Sequence, residues 1–170
     1  MSELDASHLK TPETEAQADE SGTTLGVVDN LIGFHLRLAQ DAVFQAFVRE
    51  LADVPGMRNI APGHSTLITL ISQNPGITQT ALSKAAARDK STLTPILNDF
   101  VKRGFVSRKR LATDKRSFAL NLTPKGQKFC AELQVYVQRI DRKLAAIVGE
   151  HNREAFIAIL KAIKRECEDR

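Results

Sequence analysis

The side chains of this chain that could do chemistry are concentrated in one basic stretch, residues 78–128. It has twelve bases and three acids, a net charge of +9, whereas the whole chain of 170 residues carries +4. The bases are Lys84, Arg88, Lys90, Lys102, Arg103, Arg108, Lys109, Arg110, Lys115, Arg116, Lys125 and Lys128. Positive charge confined to about 50 residues is typical of a module that binds phosphate groups, although a solvated charged surface is the simpler alternative.

The first 24 residues have the opposite charge, with one base and six acids. They are polar and show no apolar periodicity, so we predict that residues 1–24 form a disordered acidic tail. The remaining composition predicts a soluble, cytoplasmic protein without membrane contact. It has 42% apolar residues and two cysteines, and it has no apolar run long enough to span a bilayer.

The sequence contains no motif that is typical of an enzyme. The sequence contains no Walker loop, no H-E-x-x-H and no G-x-S-x-G. Its four histidines are scattered at His8, His35, His64 and His151, so a metal site is not expected either. We therefore predict a binding protein without a cofactor.

Apolar spacing predicts the elements that must position the basic side chains. A long helix from Leu25 to about Asp53 is apolar around its girth, which suggests contact with a second subunit. After a Pro- and Gly-containing loop (54–64), a short helix should point Leu67, Ile68, Leu70 and Ile71 inward. Thr78 is expected to cap one further helix and Asp89 the next, which Gly104 ends.

After Gly104 the pattern changes to that of strands. "FVSRKR" and "SFALNL" predict a β-hairpin joined through "LATDKR". Thr123 and Pro124 then open a second long helix that runs to near Gly149. A final helix, about 152–167, is expected to bury Phe156, Ile159, Leu160 and Ile163.

Three short helices followed by a β-hairpin are the order of a winged helix-turn-helix. In that arrangement the helix that Asp89 caps would enter the major groove of DNA. Ser91, Thr92 and Thr94 lie on its exposed side, where hydroxyls can bond to bases or phosphates. Alternatively, they merely extend the cap.

The sequence resembles the MarR-type transcriptional regulators over residues 25–168. "TQTALSKAAARDKSTLTPILNDFVKRGFVSRKRLATDKRSFALNLTPKG" is similar to the family pattern of T-Q-x-x-L-A, S-T-x-T, R-G-x-V-x-R, D-x-R and L-T-x-x-G. The resemblance implies a mainly α fold, with a two-stranded hairpin as the wing and long N- and C-terminal dimerisation helices. Residues 25–60 and 123–170 would form the dimerisation region and residues 61–122 the DNA-binding lobe. The partners implied are a palindromic double-stranded operator and a second copy of the chain.

The resemblance also implies roles for the wing. Arg116 matches the arginine that enters the minor groove, where it would read groove shape. Asp114 matches the acid that braces the wing by pairing with a nearby arginine, for which Arg108 and Arg110 are both candidates. Phosphate contacts are expected from Arg108, Lys109, Arg110 and Lys115, with an exposed strand free of DNA as the alternative. Lys90 is also expected to bind DNA.

Pro95 and the cysteines leave alternatives open. Pro95 lies inside the helix that Asp89 caps, and the alternative interpretation makes Thr94 the cap and Pro95 the first helical residue. Cys130 and Cys167 lie on apolar faces and are interpreted as packing residues.

Family members often bind aromatic carboxylates or related thioesters and then release DNA. The candidate contacts here are Phe34, His35, Arg37, Phe44, Met57 and His64. His35 lies on an apolar face and should be a buried or interfacial group with a polar partner. Arg37 has an ordinary helix partner available in Asp41.

The resulting hypothesis is a homodimeric repressor that an aromatic acid or acyl-CoA thioester releases from its operator. One rival is a regulator without a ligand, or with Cys130 as an oxidant switch. Another is a winged-helix module for protein interaction, because this fold alone does not prescribe DNA binding.

Overall fold

The computed structural model describes residues 23–111 and 117–168. The chain divides into two units, one ending at Ala42 and the other beginning at Val43. It is mainly helical with one small antiparallel sheet, as the sequence predicted. Across the two described ranges, no helix is both long and apolar enough to cross a membrane. The acidic tail that we predicted lies almost wholly outside the described residues.

The first unit contains a 3-10 helix, Gly26–Asn30, and the start of helix α1, Ile32–Leu51. The prediction of one continuous helix from Leu25 was wrong, because Leu31 has an extended backbone with ψ 115° and separates the two. Apolar spacing did not reveal this break, since Val28 and Ile32 are one helical turn apart on either side of it. The long N-terminal helix therefore begins seven residues later than we expected.

Five further helices lie in the described part of the second unit, together with the last turns of α1. They are α2 (Pro62–Gln73), α3 (Gln79–Ala85), α4 (Lys90–Lys102), α5 (Pro124–Val148) and α6 (Arg153–Glu168), with a 3-10 turn at Glu150–Asn152 before α6. Gly104 ends the α4 segment with φ 74°, a left-handed conformation that glycine adopts without strain. The order of helices therefore follows the predicted one closely.

The sheet has three strands where the sequence predicted two. Strands β2 (Val106–Arg110) and β3 (Phe118–Leu122) pair antiparallel, with Arg108 opposite Leu120. The additional strand β1 (Ile77–Thr78) pairs with the other edge of β3, giving the order β1-β3-β2. Two residues are too few for an alternating pattern, so this strand could not be recognised from the sequence.

The buried apolar residues in the described part of the second unit form one cluster. It includes Leu67, Ile68 and Ile71 of α2, Leu82 of α3, Leu93, Leu97 and Phe100 of α4, Leu120 of β3 and Leu133 of α5, each no more than 1% exposed. These residues recur at helical spacing, so one side of each short helix is fixed against its neighbours. Leu70, which we also expected inward, is only partly buried. The opposite side of α4 is consequently held out to solvent.

Helix α6 contradicts the prediction that it buries its apolar face. Phe156 is 43% exposed, Ile159 51% and Leu160 37%, and none of the helix's residues is buried within the described chain. The prediction for the cysteines was right for Cys130, which is buried, and wrong for Cys167, which is exposed on this helix. Amphipathic spacing indicates that a face is apolar, but it does not identify what covers that face.

Candidate nucleic-acid interface

Helix α4 begins at a hydrogen-bonded cap made by Asp89. The carboxylate accepts the backbone N–H of Thr92 at 2.7 Å, as expected for an N-cap, and the helix starts at Lys90. Pro95 lies inside this helix, so the alternative in which Thr94 caps it is wrong. Ser91, Thr92 and Thr94 are exposed, as predicted. The cap therefore fixes the polar face of the helix that would meet DNA.

The Asp89 carboxylate also accepts two side-chain hydroxyls. Thr92 donates its hydroxyl to Oδ2 at 2.9 Å, and Ser91 donates its hydroxyl to Oδ1. The Ser91 hydroxyl, followed by the Thr92 backbone N–H and hydroxyl, lowers the pKa of Asp89 from 3.8 to about 2. The carboxylate is consequently ionised throughout the physiological pH range.

We expect Asp89→Ala to lower the melting temperature by a few degrees at neutral pH, because it removes the cap. The folded pKa of Asp89 lies below its unfolded value, so its contribution is present above about pH 4 and is lost as the pH falls towards about 2. The difference in melting temperature between wild type and variant should therefore shrink over that range. A constant difference from pH 6 to pH 2.5 would contradict the assignment.

A groove runs beside the start of α4 and brings together residues from α3, α4 and both wing strands. Its volume is about 410 Å³, and its lining includes Gln79, Lys90, Thr94, Arg108 and Phe118. Lys90, Thr94 and Arg108 were three of the predicted DNA-binding residues, and the fold assembles them around one concavity. The site therefore has cations at its edges and polar groups along α4, a combination suited to a phosphate backbone and base edges.

Gln79 belongs to this groove and was not among the predicted site residues. Its amide nitrogen donates to the Thr94 hydroxyl at 2.9 Å, which in turn donates to the Lys90 carbonyl at 2.7 Å. These bonds join α3 to α4 on their exposed side. The T-Q motif was visible in the sequence, but its partner is 15 residues away and is reached only in the fold.

Strand β2 carries the basic side chains of the described part of the wing. Arg108, Lys109 and Arg110 are all exposed. Alternation along the strand puts Arg108 and Arg110 on one face and Lys109 on the other. The guanidinium of Arg110 lies 5.8 Å from the centre of the Phe118 ring across the hairpin. Asp114, Lys115 and Arg116 lie outside the described residues, so the bracing pair and the minor-groove arginine stay predictions.

The base of the wing is joined tightly to α5. The Thr123 hydroxyl accepts the Gly126 N–H at 3.0 Å and donates to the Gly104 carbonyl at 2.6 Å. The rings of Phe105 and Phe129 stack at 4.1 Å, and the Arg103 guanidinium lies 4.6 Å from the Phe105 ring centre. The wing and the first turn of α5 are therefore held as one rigid piece.

A second concavity, of about 520 Å³, lies on the other side of α4. Its lining includes Arg58, Asn59, His64, Ile96 and Arg103. The His64 ring accepts the Ala61 N–H at 3.3 Å and meets the Phe100 ring edge-on. Burial lowers the pKa of His64. Of the predicted ligand contacts, His64 thus lies in a cleft that borders α4.

The other predicted ligand contacts have different surroundings. Met57 is 2% exposed and belongs to the core, whereas Phe44 is 42% exposed. In the first unit, the Arg37 side chain bonds to Asp41 at 3.1 Å and lies over the Phe34 ring, which is the ordinary helix pairing that we weighed. His35 has the polar partner that we predicted, because its ring bonds to the Asp29 carbonyl at 2.6 Å. Its side chain is 54% exposed, so it is not buried in the single chain, and an interfacial position stays a prediction. Apolar neighbours one turn away did not reveal that the 3-10 helix provides its partner.

The sequence matches known transcriptional regulators. A model of the MarR family matches residues 62–118, which span α2, α3, α4 and the wing. A relative from Thauera aromatica, described as a "putative transcriptional regulatory protein for hcr operon", is 30% identical over 151 residues, 89% of each chain.

Solved structures with the same fold include the transcriptional repressor CouR in two states. CouR bound to a 23-mer DNA duplex is 29% identical, with a TM-score of 0.76 over 84% of this chain and 98% of that chain. CouR bound to p-coumaroyl-CoA is 28% identical, with a TM-score of 0.74 and the same coverage. This chain is similar to both over nearly the full length of the repressor.

Proposed function

The chain belongs to the MarR family of transcriptional regulators, and we propose that it is a homodimeric repressor released from its operator by an aromatic carboxylate or acyl-CoA thioester. Membership makes it a DNA-binding regulator rather than an enzyme. The observation that carries the proposal is the groove in which Lys90, Thr94 and Arg108 flank the exposed face of α4. A repressor of this kind would act in the cytoplasm.

In the proposed complex, the lobe of residues 61–122 binds double-stranded DNA through two elements. Helix α4 lies in the major groove with Ser91, Thr92 and Thr94 towards the bases, and the wing follows the backbone. Phosphate contacts come from Lys90 and from the basic side chains of β2 and the wing tip, and Arg116 is directed at the minor groove. The net charge of +9 in residues 78–128 supports placing both elements against DNA.

The exposed apolar face of α6 supports a dimer formed by the terminal helices, residues 25–60 and 123–170. Phe156, Ile159 and Leu160 lie at spacings of three and four residues and are each at least 37% exposed. A second copy related by two-fold symmetry would cover this face and set two recognition helices about one DNA turn, roughly 34 Å, apart.

We expect Ile159→Glu to convert the dimer to monomer at micromolar concentration, because a carboxylate in an apolar interface loses its hydration. Ala158→Glu is the matched control, since Ala158 is exposed on the opposite side of the same helix. Analytical ultracentrifugation of both variants gives the result. An Ile159→Glu variant that still sediments as a dimer would exclude α6 from the interface.

The effector part of the proposal rests on the cleft next to α4 and on CouR, which is 28% identical and has been solved with p-coumaroyl-CoA. The cleft has two cations, Arg58 and Arg103, against one carboxylate, Asp99, and its apolar wall is formed by Pro95 and Ile96 of α4. An anionic ligand bound there would contact α4 directly. It would favour an arrangement of the two lobes that no longer fits successive grooves of the operator.

The test is a thermal-shift titration with p-coumaroyl-CoA, p-coumarate and CoA alone, followed by DNA release measured by fluorescence anisotropy. At least one aromatic probe should raise the melting temperature and release DNA, and Arg58→Ala should weaken that response about tenfold. Lys128→Ala, which removes an equal charge on α5, should leave it unchanged. If all three probes leave both readouts unaltered, this effector class is wrong while repressor activity stands.

A further inference from the structure

The three exposed hydroxyls of α4 share one property that bears on sequence recognition. Each donates its single proton inside the protein. Ser91 donates to Asp89 Oδ1, Thr92 to Asp89 Oδ2 at 2.9 Å, and Thr94 to the Lys90 carbonyl at 2.7 Å. A hydroxyl whose proton is used in this way retains only lone pairs, so it accepts hydrogen bonds but donates none.

This polarity restricts what the hydroxyls of α4 can contact in DNA. Phosphate oxygens accept hydrogen bonds, as do guanine N7 and O6 and thymine O4, so none of them can bond to these hydroxyls. In the major groove, hydrogen-bond donors occur on the N6 amino group of adenine and on the N4 amino group of cytosine. Thr94 is further occupied, because it already accepts the Gln79 amide at 2.9 Å. Thr94 therefore has one lone pair left, whereas Ser91 and Thr92, which accept no bond within the described residues, have two each.

Two neighbouring features strengthen the acceptor character of this face. Asp89 is ionised at neutral pH because its hydrogen bonds lower its pKa to about 2. The carboxylate therefore accepts a hydrogen bond from each hydroxyl and donates none. Its negative charge would also repel a phosphate brought close to the Ser91 and Thr92 hydroxyls. Pro95 lacks an N–H, so the Ser91 carbonyl receives no helical bond from the residue four positions later.

We propose that Ser91 and Thr92 are specificity-determining residues that accept a hydrogen bond from an exocyclic amino group, adenine N6 or cytosine N4, in each half-site. Asp89 acts as the positioning residue that fixes their polarity. Phosphates are left to the cations at the groove's edges, Lys90 and Arg108. The inference rests on the operator binding proposed above and specifies which chemical group α4 reads.

The experiment begins with a duplex that the full-length wild-type protein selects from a randomised library. Each adenine of that duplex is then replaced in turn by purine, which lacks the N6 amino group, and each cytosine by 2-pyrimidinone, which lacks the N4 amino group. Affinities are measured by anisotropy for the wild type, Ser91→Ala and Thr92→Val. Thr66→Val is the control, because Thr66 is an exposed helical threonine whose hydroxyl also bonds to a carbonyl.

The expected result is a loss of about five- to tenfold, typical of one hydrogen bond, on removal of one or two amino groups per half-site. That loss should vanish in Ser91→Ala or Thr92→Val and persist in Thr66→Val, and the analogue that causes it identifies adenine or cytosine. Equal losses in all four proteins would overturn the proposal, as would a duplex in which no amino group matters. A wild-type protein that selects no sequence would instead overturn the proposed operator binding.

Asp89→Asn provides a second readout that a purely structural role would not change. Asparagine retains one oxygen for the Thr92 N–H, but it places an NH₂ donor where the second carboxylate oxygen accepts a hydroxyl. That hydroxyl no longer has an acceptor within the cap, so its proton becomes available for DNA. We expect selection with this variant to favour a base acceptor, guanine or thymine, at the affected position. An unchanged preference in a folded Asp89→Asn protein would contradict the positioning role.

Discussion

Alanine at both Lys90 and Arg108 will weaken binding of the selected duplex by about fiftyfold at 0.1 M salt. Each lost phosphate contact lowers the slope of log affinity against log salt by about 0.9, which at this salt concentration is roughly eightfold per contact. Both residues line the groove beside α4, so in the proposed complex both lie where the sugar-phosphate backbone of the DNA would pass.

The measurement is anisotropy at several salt concentrations, with Lys128→Ala plus Lys161→Ala as a double variant that loses the same charge elsewhere. Both lysines of the control are exposed on α5 and α6. If the control variant loses as much affinity and slope as Lys90→Ala plus Arg108→Ala, net charge alone governs binding and the groove is not the interface.

Gly126→Ala will destabilise the protein by at least about 3 kcal/mol, at the upper end of overpacking costs. A Cβ at this position would lie 2.0 Å from the Phe105 carbonyl oxygen and 2.8 Å from its carbonyl carbon. Both are backbone atoms that receive or flank the Thr123 N–H bond, so neither can move without breaking the junction between wing and α5. The glycine of the L-T-x-x-G motif is thus explained by this close approach rather than by a turn.

Urea unfolding of Gly126→Ala, with Gln127→Ala as its neighbour control, measures the effect. Gln127 is exposed on the same helical turn, and alanine there should change the free energy of unfolding by no more than about 0.5 kcal/mol. Equal stability of the two variants would mean that the junction relaxes freely and is not rigid.

The sequence predicted those features that depend on contacts between residues close together in the chain, and it did not predict those that depend on tertiary contacts. The caps at Thr78, Asp89 and Thr123 were predictable, because each side chain bonds to a backbone N–H three residues later. The bridge from Gln79 to Thr94 was not, because it forms only when α3 and α4 pack together. The short strand β1 was missed for the same reason, since its pairing with β3 is a tertiary contact.

Predictions of burial failed where they depended on a surface beyond the element itself. Helix α6 has the spacing of a buried helix, yet its apolar residues are exposed in the single chain. For His35, the sequence predicted a polar partner but did not identify it. The partner, Asp29, lies in a 3-10 helix that apolar periodicity does not indicate. Met57, a candidate ligand contact, is 2% exposed in the core and also lines a small concavity with Val54 and Tyr136, so its ligand role stays a prediction.

The rigid junction between the wing and α5 makes that helix a lever. Its 25 residues extend over about 37 Å at 1.5 Å per residue. The stacked Phe105 and Phe129 rings and the Thr123 bonds fix the wing to the N-terminal end of α5. A tilt of only about 10° about the C-terminal end would therefore displace the wing by about 6 Å. That displacement approaches two base-pair steps of 3.4 Å, so in the proposed operator complex a small rotation of α5 would take a recognition helix out of register with its half-site.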